Sequence, residues 1–250
     1  PAPFQQGLRA YLARHTYGST TTADLWRALS EASGLDVARI MHTWTQRPGC
    51  PLVRVRRGAQ PGTLVLAQER LRSADGDGSK EGGEDVLWHI PLVLDSSNKA
   101  LKGRSVVLES KSVVVEGAAS SAADEGGFWV KVNAGQTAPV RVLYEDAALF
   151  EAACCAAESK QMAPADRLGL ESDTFALAHA GHAPAADALR LALCLAGEDD
   201  AAVVRDLAAN IARVWHVLAS DAALAPAADR LVVRVFEGHG TRYGWHKRPD

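Results

Sequence analysis

The sequence predicts a multi-domain α+β protein, and three observations carry that expectation. Apolar residues recur at helical spacing up to residue 49, alternate with period two over 50–144, and return to helical spacing in an Ala- and Leu-rich stretch over 145–250. The expected architecture is a short helical segment, then a β-sandwich, then an α-helical, solenoid-like domain. At 250 residues the chain is long enough for such a division.

In the first region Phe4, Leu8, Tyr11 and Leu12 share a helical face. Thr22 is an expected N-cap for a helix carrying Leu25, Trp26 and Leu29, which Gly34 is placed to end. Asp36 is an expected cap for a third helix with Val37, Ile40, Met41 and Trp44, stopped by Pro48-Gly49. Period two then governs Leu52–Arg56 and Thr63–Gln68, with a turn at Ala59-Gln60-Pro61-Gly62 between them. Further strands are expected at Val86–Ile90, Leu92–Leu94, Ser105–Leu108, Ser112–Val115, Phe128–Val132 and Val140–Tyr144. About seven short strands separated by turn signals point to a sandwich. The stretches 73–85 and 117–127, rich in small and acidic residues, read as surface insertions. Helices are expected over 146–159, 174–181, 185–196, 201–220 and 226–237, punctuated by Gly169, Gly181, Gly197 and Gly238. Successive short helices suggest an armadillo- or HEAT-like solenoid, although no fixed repeat period is visible.

Composition excludes several functions. The net charge is −3, which does not suit a nucleic-acid surface. No apolar run is long enough to span a bilayer, and Pro1-Ala2-Pro3-Phe4 has no basic or apolar leader character. The missing initiator Met points to a piece of a longer chain. Cys50, Cys154, Cys155 and Cys194 form no C-x-x-C, and reduced, buried thiols in a cytoplasmic protein explain them best.

Candidate chemistry is sparse. No His is followed by Glu, so H-E-x-x-H is absent. His179 and His182 fall three apart, and His239 and His246 flank an aromatic tail, but a zinc site needs further ligands that neither pair supplies in sequence. Asp75-Gly76-Asp77-Gly78 lacks the later ligands of a calcium loop. G-x-S-x-G and the phosphate loop are absent, and Cys154-Cys155 has no basic neighbour to activate a thiol. Trp26, Trp44, Trp88, Trp129, Trp215 and Trp245 read mostly as core anchors, as does the stripe Ile211, Val214, Trp215 and Leu218. Asp166, Arg167 and Asp173 read as an ion pair with Asp166 or Asp173 as partner of the arginine, and Ser172 or Asp173 as cap of a helix starting at Thr174.

An ordered set of short motifs resembles the zinc aminopeptidases of the puromycin-sensitive and aminopeptidase N type. It begins with Phe4-x-x-Gly7-Leu8-x-x-Tyr11-Leu12, His15-x-Tyr17-Gly18 and Thr22-x-Asp24-Leu25-Trp26. It continues through Ile40-Met41-x-x-Trp44-Thr45, Pro48-Gly49-Cys50-Pro51-Leu52-Val53 and Trp88-x-Ile90-Pro91-Leu92. Trp129-Val130-x-Val132-Asn133-Ala134-Gly135-Gln136, Arg141-Val142-x-Tyr144, the run from Asp166 to Gly181, and Tyr243-Gly244-Trp245 complete it. Cys50 departs from the aromatic residue usual there, and Thr137-Ala138-Pro139-Val140 departs before Arg141.

The resemblance implies that 1–49 ends a thermolysin-like catalytic domain, 50–144 is a sandwich domain and 145–250 is the first part of a helical superhelical domain. It implies zinc as cofactor of the parent enzyme, peptides as substrates and an upstream catalytic domain as partner. Neither a nucleic acid nor a membrane is implied. In the family the zinc-binding histidines and glutamate, the general base, the oxyanion tyrosine and the G-x-M-E-N loop precede the region matched here. No residue of this chain is therefore assigned a catalytic, cofactor-binding or metal-binding role, and the chain alone is expected to be inactive and to bind no zinc. Two rival readings are an aminopeptidase-like scaffold without activity and an independent helical-repeat adaptor.

Overall fold

The computed structural model describes residues 2–72, 87–117 and 127–244. Of the two expected surface insertions, all of 73–85 and residues 118–126 of 117–127 lie outside them, as do the acidic Asp75–Gly78 motif, Trp245 and His246. The described chain is α+β, with eight α-helices and two small sheets.

Three helices come first: α1 (Ala2–Arg14), α2 (Thr22–Ser33) and α3 (Val37–Thr45). Thr21, one residue earlier than expected, caps α2. Its backbone N–H and hydroxyl both donate to Asp24 at 2.9 and 2.8 Å. Asp24 sits at the third helical position, so a reciprocal capping box needs Thr21 rather than Thr22. Gly34 ends α2 in the left-handed region at φ 71°, and Asp36 caps α3 by accepting from the Arg39 amide at 3.0 Å. The face of α1 that meets α2 is centred on buried Gly7, while Phe4 and Leu12 stay exposed. A Cβ at Gly7 would sit 2.8 Å from Leu29 Cδ2 and 3.1 Å from the Leu29 Cα, so backbone meets backbone there. Gly7→Val is expected to force α1 off α2 and cost about 1–3 kcal/mol, read as a lower urea midpoint.

Four strands form the first sheet in the order β5-β2-β1-β7: β1 (Pro51–Arg57), β2 (Thr63–Arg70), β5 (Ser112–Glu116) and β7 (Arg141–Tyr144). β1 runs parallel to β7 and antiparallel to β2. The second sheet has the order β4-β3-β6, built from β3 (Ile90–Ser96), β4 (Ser105–Leu108) and β6 (Val130–Val132). β3 runs unbroken through Pro91, where two strands had been expected. Ile90, Leu92 and Leu94 point inward while Pro91 is exposed. Pro91 lies upstream of the stretch paired with β6, so among the described residues it pairs with β4 alone, and its missing N–H breaks no ladder on the other flank.

Val53, Val55, Leu64 and Leu66 from the first sheet enter one apolar cluster with Ile90, Leu92, Leu94, Val130 and Val132 from the second. Two buried polar side chains also join the sheets. The Gln68 amide donates to the carbonyls of Trp88, Leu108 and Ser110 and accepts from the Trp88 N–H, at 2.8–3.2 Å. The Tyr144 hydroxyl donates to the Val130 carbonyl at 2.9 Å and accepts from the Val132 N–H. The helical segment docks on the same region: Trp44 Nε1 donates to the His89 carbonyl at 3.0 Å, and the His89 N–H donates to Thr43 Oγ1.

Five helices follow: α4 (Ala147–Glu158), α5 (Pro164–His179), α6 (Ala185–Cys194), α7 (Ala201–Leu218) and α8 (Ala225–Tyr243). Asp146 and Asp200 cap α4 and α7 through their carboxylates. α5 corrects the expected start at Thr174: it begins ten residues earlier, with Pro164 in its first turn. Ser172 and Asp173 therefore lie mid-helix and cap nothing. α8 likewise runs past Gly238 and Gly240. Trp88 and Trp129 are core residues, but Trp26 and Trp44 are only half-buried. Trp215 sits on the rim of its stripe, 39% exposed, with Nε1 donating to Asp229.

Candidate functional site

The densest collection of buried polar groups lies where α5 meets β7 and the turn after β6. The turn begins at Asn133, whose left-handed φ of 61° an asparagine tolerates. The Asn133 amide closes it by donating to the Ala138 carbonyl at 2.9 Å and accepting from the Ala138 N–H at 3.0 Å. The Gly135 N–H then donates to Asp166 Oδ1 on α5 at 2.7 Å. Gln136 lies flat against α5 at Gly169, where a Cβ would fall within 1.7 Å of the Gln136 Nε2. A side chain at 169 would therefore displace Gln136.

Asp173, two turns further along the same face of α5, accepts from Arg141 Nη1 at 3.0 Å and from the Val142 N–H at 3.1 Å. The fully buried Lys131 donates to the Val132 carbonyl at 2.8 Å and sits in the field of Asp173 and Asp166. Burial pushes the Lys131 ammonium down, and the two carboxylates oppose this. Burial pushes the Asp173 carboxyl up, and Lys131 and Arg141 oppose that.

Arg167 faces the other way. Its Nε and Nη2 grip both oxygens of Glu198 at 2.6 and 2.7 Å, and its Nη1 donates to the Met162 carbonyl at 2.7 Å. The partner is therefore Glu198, not Asp166 or Asp173. A helix that starts at Pro164 turns Arg167 toward the loop before α7 and turns Asp166 and Asp173 toward the sheet. Glu198 also accepts the N–H groups of Asp199 and Asp200. Burial would raise its pKa, and these donors together with Arg167 hold it low instead. A third polar cluster joins α5 to α7: Asn210 Nδ2 donates to Glu171 at 2.7 Å and reaches Asp206 at 3.3 Å.

Among the described residues no group of three or more His, Cys, Asp or Glu side chains is arranged to hold a metal ion. His179 ends α5 exposed, and the His182 ring instead meets the Arg72 carbonyl. The His239 ring meets the Glu198 carbonyl at 2.9 Å. No described helix is long and apolar enough to cross a membrane.

The joint ties α5 to β7 and to the turn after β6. Comparison with known proteins gives the family. Residues 129–250 match the "ERAP1-like C-terminal domain", and residues 1–44 match the "Peptidase family M1 domain". The chain is similar to "Puromycin-sensitive aminopeptidase" of Caenorhabditis elegans, 33% identical over 97% of this chain and 25% of that protein. It is similar to "Aminopeptidase M1" of Arabidopsis thaliana, 31% identical over 97% of this chain and 28% of that protein. "Aminopeptidase N" of Lactococcus lactis is 30% identical over 98% of this chain and 27% of that protein. The chain belongs to the M1 aminopeptidase family and corresponds to a C-terminal portion of it. It spans about a quarter of the length of the curated relatives it matches.

Proposed function

We propose that this chain is the supporting, non-catalytic part of a zinc-dependent aminopeptidase that removes N-terminal residues from peptides. Residues 1–49 complete a catalytic domain held mostly by chain outside this sequence, 50–144 form a sandwich spacer, and 145–250 open a solenoid-like array. The helices stand as a wall of the substrate chamber, limiting which peptides enter and keeping water out. The observation that carries this reading is the buried joint of Asp166, Asp173, Lys131 and Arg141. Such a joint suits a wall whose angle to the catalytic domain must not drift. Four free cysteines support a reducing, cytoplasmic setting.

The isolated chain is expected to take up no stoichiometric zinc and to leave aminoacyl-coumarin substrates intact. Metal analysis after dialysis and a fluorescence assay test both points, and bound zinc or turnover would overturn the reading. A full-length parent that also fails to hydrolyse these substrates while binding peptides would replace the enzyme with a scaffold.

A further inference from the structure

A carboxyl group that the proposed function does not use is enclosed between α5 and α7. Glu171 is fully buried on α5, and its Oε1 accepts from Asn210 Nδ2 of α7 at 2.7 Å. The same nitrogen lies 3.3 Å from Oδ2 of Asp206, one turn earlier on α7. One amide nitrogen within 3.3 Å of both groups sets the two acids side by side. Arg213 donates to Asn210 Oδ1 at 3.1 Å, which turns that nitrogen toward them. Glu171 Oε2 meets no donor among the described residues. A buried ionised oxygen needs donors, so Oε2 is the atom placed to carry a proton. Burial, and behind it Asp206, hold the carboxyl well above the ordinary carboxylate range. Other elements packed on or near α5 turn their charges elsewhere: Arg141 of β7 to Asp173, Lys131 of β6 toward Asp173 and Asp166, and Arg190 of α6 to Glu151.

α7 is clamped at one end. Its N-terminus follows Glu198, gripped by Arg167, and Asp199, bonded to Lys160 at 2.6 Å. Its buried residues are Val203, Leu207, Asn210 and Ile211, and residues 212–218 are half-buried or exposed. The amide between the two acids is therefore among the last buried ties of α7 to α5, and the C-terminal half of the helix is the half free to lift.

We propose that Glu171, Asn210 and Asp206 form a proton-operated catch, in which protonated Glu171 holds the C-terminal half of α7 on α5 and loss of the proton releases it. With Glu171 neutral, the Asn210 amide serves both acids and only Asp206 carries charge. When the proton passes to solvent base, a second negative charge appears beside Asp206 in a site that water does not reach. One amide nitrogen cannot compensate both charges. Lifting α7 admits water to Oε2 and separates the acids, while the Arg167–Glu198 pair keeps the N-terminal end in place. The catch works within the helical region and stands whether or not the parent is an enzyme.

The test is amide hydrogen exchange of the whole chain, read by mass spectrometry at about pH 6.5 and about pH 8.5 and corrected for the base-catalysed rise in chemical rate. Protection over 211–218 should fall roughly tenfold or more in the wild type, since one proton shifts an opening equilibrium by up to about tenfold per pH unit. Strands β1 and β2 should keep their protection and serve as the internal reference. In Glu171→Gln, which keeps the shape and cannot ionise, protection over 211–218 should be the same at both pH values. In Asp206→Asn, which removes the facing charge, the fall should be smaller than in the wild type. Unchanged protection in the wild type, an equal fall in either variant, or a fall that runs through β1 and β2 as well would each overturn the proposal.

Discussion

Arg167→Ala is expected to lower the stability of the helical region by about 3–5 kcal/mol, seen as a fall of roughly 10 °C in melting temperature. The size follows from what remains behind. Glu198 would stay in a site where it is 4% exposed, deprived of a bidentate guanidinium. The N–H groups of Asp199 and Asp200 would still bind one of its oxygens, but the other would have no donor. The Met162 carbonyl would also lose its donor. Arg167→Lys keeps the charge and loses the fork, so it should recover only part of the loss. Removing both charges, as in Arg167→Met with Glu198→Gln, should be milder than Arg167→Ala, because no uncompensated ion is left buried. A double-mutant cycle by urea denaturation reads this coupling. A single-mutant loss under about 1 kcal/mol would mean that Glu198 finds water or another donor, and that the pair is not what holds α5 to the loop before α7.

The same residues mark where sequence reading succeeds and where it stops. Local signals were legible. Gly34 and Asp36 end and start helices as expected, and the alternation in β3 agrees with its burial. The ordered motifs led to the family. What was not legible depended on partners far away in sequence. Ser172 or Asp173 read as the cap of a helix starting at Thr174, and Gly169 read as punctuation. Pro164 was the signal that the helix starts earlier. Asp166, Arg167, Glu171 and Asp173 are buried, because each meets Gly135, Glu198, Asn210 or Arg141 from another element. Gly169 is in mid-helix because Gln136 needs its space. Nothing local in Gly197-Glu198-Asp199 indicates that the middle residue pairs with Arg167. The rim position of Trp215 is of the same kind: helical period places it near the core, and the packing of α8 decides how near.

Glu171→Gln is expected to be more stable than the wild type in alkaline buffer and about equal to it in acid. Glu171 is fully buried on α5, and its Oε2 has no hydrogen-bond partner among the described residues while Oε1 accepts from Asn210. The charged groups near it come from α7: Asp206, and Arg213, which donates to the Asn210 side-chain Oδ1 at 3.1 Å. Burial first, and then the neighbouring Asp206 carboxylate, push its carboxyl up to about 9, with Asn210 opposing. The sign follows from proton binding. The folded state holds a proton that the unfolded chain gives up at 4.5, so this contribution is whole below that pH and is lost as pH rises toward 9. The slope is at most about 1.4 kcal/mol per pH unit for one proton. By pH 8 the loss should amount to a few kcal/mol. A glutamine keeps an oxygen for Asn210, offers an N–H to the Asp206 carboxylate and does not titrate. Urea melts of both proteins between pH 5 and 8.5 measure the difference, which should widen steadily in favour of the variant. A gap that stays constant across that range would show that Glu171 is ionised in the folded protein.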